Sequence, residues 1–401
     1  MPIKTASVGT SVLTALAWLL AGIAAWPMTV VIVECLAGLR DPAGTFPDAA
    51  SDPPPFVVLV PAHDEAAGIG PVLTAIHAEL RPCDRVLVVA DNCTDATATI
   101  ARAAGADVVE RTAPGLRGKA YALAFGRDRI AADPPAIVLL VDADCRPLPG
   151  ALRRLAASAA RHDAAVQGRY LLDPPATAGA AVRISAFAFM VRNMVRQRGL
   201  DRIAGTAQLQ GSGMAMPWRI FSTAPLATAS LVEDMKLGLD LALSGETVRF
   251  ADDARFLAAT ASLTATATQR TRWEQGMLAT ATAYLPRLIA AGLARRPALL
   301  LIAADLSVPP LALLAALVGA TLLVLGLVGV IGSSAAPFLF LLTVGCLFAG
   351  VLALVWSRFG RAVLPPRMIA DLLGYVAWKQ PIYLRLLRRR EHSWIRTSRE
   401  P

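Results

Sequence analysis

The stretch FVVLVPAHDE at residues 56–65 joins an unbroken apolar run to a group of polar side chains. Such a run is typical of a parallel strand that is buried on both faces of a sheet. Similar apolar runs recur at residues 85–90, 107–110 and 136–144, and helical stretches separate them at residues 70–80, 94–104 and 119–130. Regular alternation of strands and helices predicts a doubly wound parallel α/β sheet.

Polar residues follow three of these predicted strands, at residues 61–65, 91–95 and 142–144. Doubly wound sheets bind their ligands beyond the carboxyl ends of the strands, so these residues predict a binding site. Asp142 and Asp144 are two positions apart in a predicted extended segment, and their carboxylates should therefore point the same way. Two such carboxylates can bind one divalent cation. In an isolated loop, the same pair would be an ordinary solvated acidic pair.

Two long uncharged segments predict that the chain spans a membrane. With 55% hydrophobic and 17% charged residues and a mean hydropathy of +0.52, the chain is too apolar for a typical soluble protein. Residues 5–33 are long enough for one spanning helix, and residues 306–357 for two. Residues 184–198 and 368–387 combine apolar and charged positions and predict helices on the bilayer surface. The alternatives are a core helix for the first and a further span for the second.

The distribution of basic residues predicts the orientation in the membrane. The formal net charge is +9, and residues 358–401 contain ten Lys or Arg against three Asp or Glu. Because basic residues flank the pair of C-terminal spans, we expect both of its ends, and the α/β domain, in the cytoplasm. A basic tail next to a membrane favours anionic lipids over nucleic acid as its partner. We therefore predict a multi-pass protein of the inner (cytoplasmic) membrane, with a membrane anchor at residues 1–40, a cytoplasmic domain with interface helices at 53–290 and a C-terminal membrane region at 291–401.

Several common nucleotide-binding and catalytic motifs are incomplete or missing in the sequence. APGLRGKA at residues 113–120 lacks the first glycine and the Ser/Thr of a Walker loop, and no G-x-G-x-x-G follows the first strand. GSG at residues 211–213 lacks the outer glycines of a nucleophile elbow. Five cysteines without paired spacing and four scattered histidines predict reduced thiols and no zinc site.

Four sequence blocks occur in the order PAHDE (61–65) with VVADNCTDAT (88–97), the D-x-D pair at 142–144, LVEDMKLGLDLALSG (231–245) and QRTRW (269–273), which has the form Q-x-x-R-W. Together they resemble the family-2 glycosyltransferases. The chain looks most like the membrane-bound branch that includes cellulose, hyaluronan and poly-N-acetylglucosamine synthases and the ceramide glucosyltransferases. This resemblance implies a GT-A-type doubly wound mixed sheet inserted between transmembrane helices.

The resemblance also implies roles for individual residues. Those implied at the nucleotide of a UDP-sugar are Pro61, Ala62, Glu65, Asp91, Lys119 and Asp142. Asp142 and Asp144 are the implied ligands of Mg²⁺ or Mn²⁺, and Asp234 is the implied catalytic base. The residues implied at the acceptor or the diphosphate are Glu233, Gln269, Arg270, Arg272, Trp273, Gln210 and Ser212. Taken alone, Glu233 and Asp234 are also typical of a helix start, and Trp273 of a membrane interface.

Attack on the donor from the face opposite the nucleotide would invert an α-linked sugar to a β product. The resulting hypothesis is a membrane-anchored inverting glycosyltransferase that uses a glycan acceptor, in bacterial exopolysaccharide synthesis. One alternative is transfer of a single sugar to a lipid, such as ceramide or a polyprenyl diphosphate. Another is a non-catalytic sugar-nucleotide-binding scaffold of a synthase complex. The predicted spans are fewer than those of channel-forming synthases, so a channel would require a homo-oligomer or a synthase complex.

Overall fold

The structure is a computed structural model that describes residues 3–40, 52–260, 263–294, 296–331 and 334–388. Within these ranges, the side chains of residues 3–10, 263–272, 381, 382 and 384–388 are not described. Residues 332 and 333, between the two predicted C-terminal spans, and residues 389–401, the end of the predicted basic tail, lie outside the described residues.

Eight strands form one sheet: β1 (Phe56–Ala62), β2 (Arg85–Asp91), β3 (Asp107–Arg111), β4 (Ile137–Leu140), β5 (Cys145–Pro147), β6 (Ala165–Asp173), β7 (Met214–Pro217) and β8 (Val248–Ala259). The helices of the α/β domain are α2 (Ile69–His77), α3 (Thr97–Ala103), α4 (Lys119–Ile130), α5 (Ala151–His162), α6 (Ala180–Met190), α7 (Gln197–Ala204), α8 (Trp218–Thr223) and α9 (Glu233–Ser244). The remaining helices are α1 (Ile3–Gly38), α10 (Leu263–Ala294), α11 (Ala298–Leu306), α12 (Leu311–Val330), α13 (Ala336–Val355) and α14 (Leu372–Arg388). Two π-helical turns (Val191–Arg196 and Trp356–Gly360) and a 3₁₀ helix (Pro366–Asp371) complete the set.

The sheet is mixed, with the strand order β3-β2-β1-β4-β7-β6-β8-β5. Strands β1 to β4 are parallel, as the apolar runs predict, whereas β7 is antiparallel to both β4 and β6. The mixed α/β sheet expected from the resemblance is confirmed. The alternation of strands and helices up to residue 144 predicts the parallel part of the sheet, and the later strands, which do not continue this alternation, add the antiparallel pairs.

The core lies on both faces of the sheet, because successive residues of a strand point to opposite faces. Val58 and Val60 pack with residues of α2 and α5, whereas Val57 and Leu59 pack with residues of α4 and α8. All four side chains are buried. Each such side chain stabilises the fold by about 1.5–3 kcal/mol relative to an exposed position.

The predicted strand at residues 136–144 ends earlier than expected, at Leu140. Asp142 and Asp144 lie in a tight turn that is closed by a hydrogen bond of 3.0 Å from the Cys145 amide to the Asp142 carbonyl. Their shared direction therefore does not follow from strand alternation. A further hydrogen bond of 3.0 Å, from the Asp142 amide to Ser212 Oγ, ties this turn to the loop before β7.

Among the described residues, four helical segments are long and apolar enough to cross a membrane: Ser11–Gly38, Trp273–Ala294, Leu311–Val330 and Ala336–Gly360. Three of them coincide with the predicted spans. The fourth segment, the later part of α10, was not predicted as a span, because the charged residues Glu274 and Arg287 interrupt its apolar sequence. Helix α1 packs against α12 and α13.

Residues 184–198, predicted as a surface helix, form parts of α6 and α7 with a π-helical turn between them. Val191, Met194 and Val195 are buried in contact with residues of α1, as the core-helix alternative expects. A Cβ at Gly199 would lie 1.9 Å from the Glu34 carbonyl oxygen, so only glycine permits the approach of α1 and α7. That residues 184–198 and 368–387 lie at a bilayer surface stays a prediction.

Candidate active site

The sequence-predicted residues converge at the carboxyl ends of β1, β2 and β4, on a cavity of about 1060 Å³. Those lining the cavity are Pro61, Ala62, Glu65, Asp91, Lys119, Asp142, Asp144, Gln210, Glu233, Asp234 and Trp273. Ser212 belongs to the same loop as Gln210, and its side chain is fully buried. Gln269, Arg270 and Arg272 belong to the first turns of α10, and their side chains lie outside the described part of the structure.

Asp91, the last residue of β2, is held by Arg111 at the end of the neighbouring strand. Arg111 Nη1 lies 2.5 Å from Asp91 Oδ1 and 2.9 Å from the Leu116 carbonyl oxygen. The guanidinium carbon of Arg111 also lies 5.8 Å from the ring centroid of Tyr121. Arg111 was not predicted as a site residue. It follows a predicted strand, so the rule that placed Asp91 at this edge of the sheet would also have placed Arg111 there.

Near Glu65, the turn after β1 is ordered by hydrogen bonds from neighbouring residues. The Glu65 amide donates to Thr97 Oγ1 over 2.8 Å, and the Thr94 amide donates to Asp64 Oδ1 over 2.6 Å. Ligand atoms of Asp64, Cys93 and Asp95 lie within 4.8 Å of one another. Because both carboxylates of this group accept hydrogen bonds within the turn, the group is explained by the local fold.

Four carboxylates surround a single ammonium group among the described side chains at the centre of the site. Lys119 Nζ pairs with Asp142 Oδ1 and donates to the Gly211 carbonyl oxygen over 2.5 Å. Burial raises the pKa of Asp142, and Asp144 raises it further against the effect of Lys119. Burial and the charge of Asp234 raise the pKa of Glu233 as well. The centre thus carries more negative charge than Lys119 compensates.

This excess of negative charge fits a divalent cation. Asp142 and Asp144 offer carboxylate oxygens, which are the ligands that Mg²⁺ and Mn²⁺ prefer. Both carboxylates line the cavity, so an ion held by them would also contact a ligand bound in the cavity. The residues present therefore fit the metal expected from the sequence.

Asp234 lies in the first turn of α9, where the helix dipole stabilises a negative charge. The opposite wall is the loop before β7. A Cβ added to Gly211, whose φ is 98°, would lie 3.1 Å from Asp234 Oδ2. The loop is fixed from below by Gln167, which donates to the Ser212 carbonyl oxygen over 2.9 Å and accepts from the Gln210 amide over 2.8 Å.

Ser212 and Gln210 differ in what they contact. Ser212 Oγ accepts the hydrogen bond from the Asp142 amide and so positions the D-x-D turn. The side-chain amide of Gln210 lines the cavity, is 9% exposed and makes no hydrogen bond to any described residue. A buried amide without a partner is costly, so Gln210 indicates a ligand group at this wall.

A sequence model of the family described as "Glycosyltransferase like family 2" matches residues 53–276, which is more than half of the chain. The chain belongs to this family. The match covers the β-sheet domain and the QRTRW block. The finer resemblance, to the cellulose and hyaluronan synthase branch, stays a prediction.

A solved structure shares the fold of this glycosyltransferase. A mannosyltransferase from Pyrobaculum calidifontis, in complex with GDP-mannose and Mn²⁺, is 19% identical with a TM-score of 0.54, over 92% of this chain and 99% of the other. A glucosyl-3-phosphoglycerate synthase from Mycobacterium tuberculosis, in complex with Mn²⁺, UDP and phosphoglyceric acid, is 22% identical with a TM-score of 0.41, over 60% of this chain and 84% of the other. No curated protein sequence matches the chain. At 19% identity, the likeness to the mannosyltransferase shows the GT-A fold alone.

The end of the glycosyltransferase cavity that lies next to α10 and α14 contains residues that no motif indicated. Lys379 of α14 pairs with Glu274 of α10, and this pair lies beside Trp273. Trp273 lies 6.3 Å from Phe189 between ring centroids. Arg192 lines the cavity on the π-helical turn. The sequence placed Arg192 only on a basic helix face, because nothing in the pattern shows which distant helices pack around it.

Proposed function

We propose that this glycosyltransferase transfers a sugar from a UDP-sugar to an acceptor hydroxyl at the membrane, with inversion to a β-linkage. The observation that carries the proposal is the convergence of Asp91, Lys119, Asp142, Asp144 and Asp234 on one cavity in a family-2 glycosyltransferase fold. In the proposal, Pro61, Ala62, Glu65 and Asp91 hold the nucleoside, with Arg111 positioning Asp91. The α/β domain lies in the cytoplasm, where UDP-sugars are made.

Asp142 and Asp144 would hold Mg²⁺ or Mn²⁺, which neutralises charge on the departing diphosphate. Lys119, already paired with Asp142, adds a positive charge on the same side. Asp234 takes the proton of the acceptor hydroxyl as the oxygen attacks the anomeric carbon. The bond from that carbon to the diphosphate breaks, and its electron pair leaves with UDP. Arg270 and Arg272 of QRTRW remain proposed partners of the diphosphate.

We expect the purified full-length chain in lipid nanodiscs to release UDP from one member of a panel of UDP-sugars. EDTA should abolish the release and Mn²⁺ or Mg²⁺ should restore it. The carboxylates of Asp142 and Asp144 and the diphosphate are all negatively charged, so a cation is needed between them. The measurement is UDP release with and without the metal, with GDP-mannose included in the panel. Binding of UDP without release from any donor would support the scaffold alternative, and release from GDP-mannose alone would refute the uridine specificity.

Matched variants make this test specific to the D-x-D pair. Asp144→Asn should lower UDP release by about 100-fold or more, an effect of the size expected for lost electrostatic stabilisation of the leaving group. Asp128→Asn replaces an exposed carboxylate of α4 and should leave the release unchanged. Equal rates for Asp144→Asn and the wild type would remove Asp144 from the metal site.

Gly211→Ala tests the wall that faces Asp234. The added methyl group would lie 3.1 Å from Asp234 Oδ2, in a backbone conformation with φ of 98° that alanine adopts only with strain. We expect transfer to fall by about 10-fold or more, since a small displacement of a reacting group is costly. UDP affinity, measured by calorimetry, should change little. Wild-type transfer by the Gly211→Ala variant would show that this wall does not position Asp234.

Exopolysaccharide synthesis, a homo-oligomer and a synthase complex stay predictions. A glycan acceptor needs hydrogen-bonding partners along its path. Away from Arg192 and the Lys379–Glu274 pair, the part of the cavity next to α12 and α13 is lined mainly by Leu, Ala, Pro, Val and Phe side chains, which offer no hydrogen bonds.

A further inference from the structure

We propose that the acceptor is a membrane lipid whose hydrocarbon chain lies between α12, α13 and α14 and whose hydroxyl group reaches Asp234. This inference rests on the proposed function and names the acceptor class of the same site. It selects the lipid alternative over the glycan acceptor.

One continuous cavity joins the acidic centre to the membrane helices. At one end it is lined by Asp142 and Asp234, and at the other by Ala315 of α12, Leu352 of α13 and Leu373 of α14. Its volume of about 1060 Å³ is slightly larger than the range typical of small-molecule sites, which is about 300–1,000 Å³. A nucleotide-sugar at the carboxyl ends of the strands would therefore leave the membrane end of the cavity for a second ligand.

The chemistry of the membrane end selects a hydrocarbon chain. Sugar hydroxyls buried against Leu311, Phe348 and Leu352 would lose their hydrogen bonds to water without replacement, which is unfavourable. A hydrocarbon chain loses none and gains from leaving water. Helices α12 and α13 are themselves candidate spans, so a lipid can enter between them directly from the bilayer.

Two polar side chains mark the boundary between the acidic centre and the apolar end. The guanidinium of Arg192 makes no hydrogen bond or ion pair with the described residues, although it lines the cavity. Burial lowers the pKa of Arg192, while Asp305, Asp234 and Glu274 act against this effect. Gln210 is the second, since its buried amide also has no described partner. Both can donate hydrogen bonds to oxygens of a lipid headgroup.

Lys379 differs from Arg192 because its ammonium group already forms an ion pair within the protein. It pairs with Glu274 and is 3% exposed, with Tyr375 and Tyr383 each 5.7 Å away between the ammonium and the ring centroid. This pair holds α14 against α10 at the edge of the cavity. Leu373, on the same helix, is 84% exposed and continues the apolar surface toward the bilayer.

The step balances with a lipid alcohol as acceptor. The alcohol oxygen forms the new bond to the anomeric carbon, and the bond from that carbon to the diphosphate breaks. UDP leaves with the electron pair, and the alcohol proton goes to Asp234. The product is a β-linked glycolipid whose hydrocarbon chain returns to the bilayer between α12 and α14.

Filling the apolar end with a bulky side chain tests the proposal. Ala315→Trp places an indole at the wall of the cavity, whereas Ala320→Trp places the same group at a position of α12 that does not line the cavity; both positions are exposed. The assay uses nanodiscs of total bacterial lipid extract and a radiolabelled UDP-sugar, and follows the label into the organic phase. We expect Ala315→Trp to lower lipid glycosylation by about 10-fold or more with unchanged UDP affinity. Ala320→Trp should resemble the wild type.

The outcomes separate this inference from the proposed function. Donor consumption with a water-soluble sugar polymer as product, or equal glycolipid formation by both tryptophan variants, would overturn the lipid acceptor and leave the proposed function in place. Failure of the wild type to bind any nucleotide or use any nucleotide-sugar would overturn the proposed function instead. Preserved UDP affinity shows that a variant is folded.

A photolabelling experiment gives a readout independent of activity. The probe is hexadecanol with a diazirine on its chain, in phosphatidylcholine nanodiscs, and crosslinks are mapped by peptide mass spectrometry. We expect crosslinks to peptides containing Met277 or Leu352, which line the cavity, and their loss in Ala315→Trp but not in Ala320→Trp. Crosslinks that are the same in both variants would show that the probe reads only the outer surface of the helices.

Arg192→Gln tests the boundary. We expect a rise of about 10-fold or more in the KM for the lipid acceptor, as for the loss of a charge-assisted hydrogen bond. Donor affinity should be unchanged. Arg202→Gln, which removes an exposed arginine from α7, is the control. A change in donor affinity with no change in the acceptor KM would assign Arg192 to the diphosphate and refute its role at the headgroup.

Discussion

Asp234→Asn is expected to abolish sugar transfer while UDP binding persists. Asparagine keeps the size and the polarity of the side chain but cannot take a proton from the acceptor hydroxyl. General-base groups typically contribute about 10²–10⁴-fold to a rate, so the loss should fall in this range or exceed it. The measurement pairs a transfer assay with calorimetric UDP affinity. Parallel loss of both would assign Asp234 to nucleotide binding and not to the chemistry.

The same helix offers a matched control for this variant. Asp240 lies six residues further along α9 and accepts a hydrogen bond of 2.6 Å from the Tyr284 hydroxyl. It does not line the cavity. Asp240→Asn should therefore retain transfer within a few-fold of the wild type. A loss as large as that of Asp234→Asn would indicate a general effect on α9.

Glu233 is the competing candidate for the base. It precedes Asp234, lines the same cavity and has a pKa that burial and Asp234 raise. If Glu233 were the base, transfer would increase as the pH rises through its raised pKa, because only the ionised form accepts a proton. Glu233→Gln with full activity would leave the role to Asp234, whereas its inactivity beside an active Asp234→Asn would move the role to Glu233.

The first half of the sheet could be predicted from the sequence because burial on both faces leaves a simple pattern. Strands β1 and β2 are nearly continuous apolar runs, and their ends carry the polar residues. Strand β6 lacks such a pattern, since it contains Gln167 and Arg169 with a register shift at Gly168. A Cβ at Gly168 would lie 2.8 Å from the Ala254 carbonyl oxygen, which shows a close backbone approach that the sequence does not reveal.

The candidate site was predicted where a motif contains its residues, and missed where distant segments meet. Asp142, Asp144 and Asp234 line one cavity, as expected from the ordered motifs. Ser212 is expected at the acceptor or the diphosphate and this role stays a prediction; in the structure its hydroxyl accepts a hydrogen bond from the Asp142 amide, because the loop crosses the D-x-D turn. Arg192 and Lys379 approach the cavity only through helix packing, and residue spacing carries no information on such contacts.

A buried ion-pair network connects α1, a candidate span, to the α/β domain. Arg196 Nε lies 2.6 Å from Glu34 Oε2 on α1, and Arg196 Nη2 lies 2.5 Å from Asp305 Oδ1 on α11. Gln208 Nε2 adds a contact of 3.2 Å to Asp305 Oδ2. All four side chains belong to buried residues. The network therefore joins α1, α11 and the loop before β7 through a single guanidinium group.

Arg196→Met should cause a large loss of stability, because it leaves Glu34 and Asp305 buried without their cation. Removing one partner of a buried ion pair costs about 3–5 kcal/mol. The measurement is the thermal or denaturant midpoint of the full-length chain in detergent, with Arg161→Gln at an exposed position of α5 as the control. Glu34→Gln combined with Arg196→Met should recover part of the loss, since fewer charges are then buried alone. A midpoint for Arg196→Met equal to that of Arg161→Gln would show that the network is not what holds α1 to the domain.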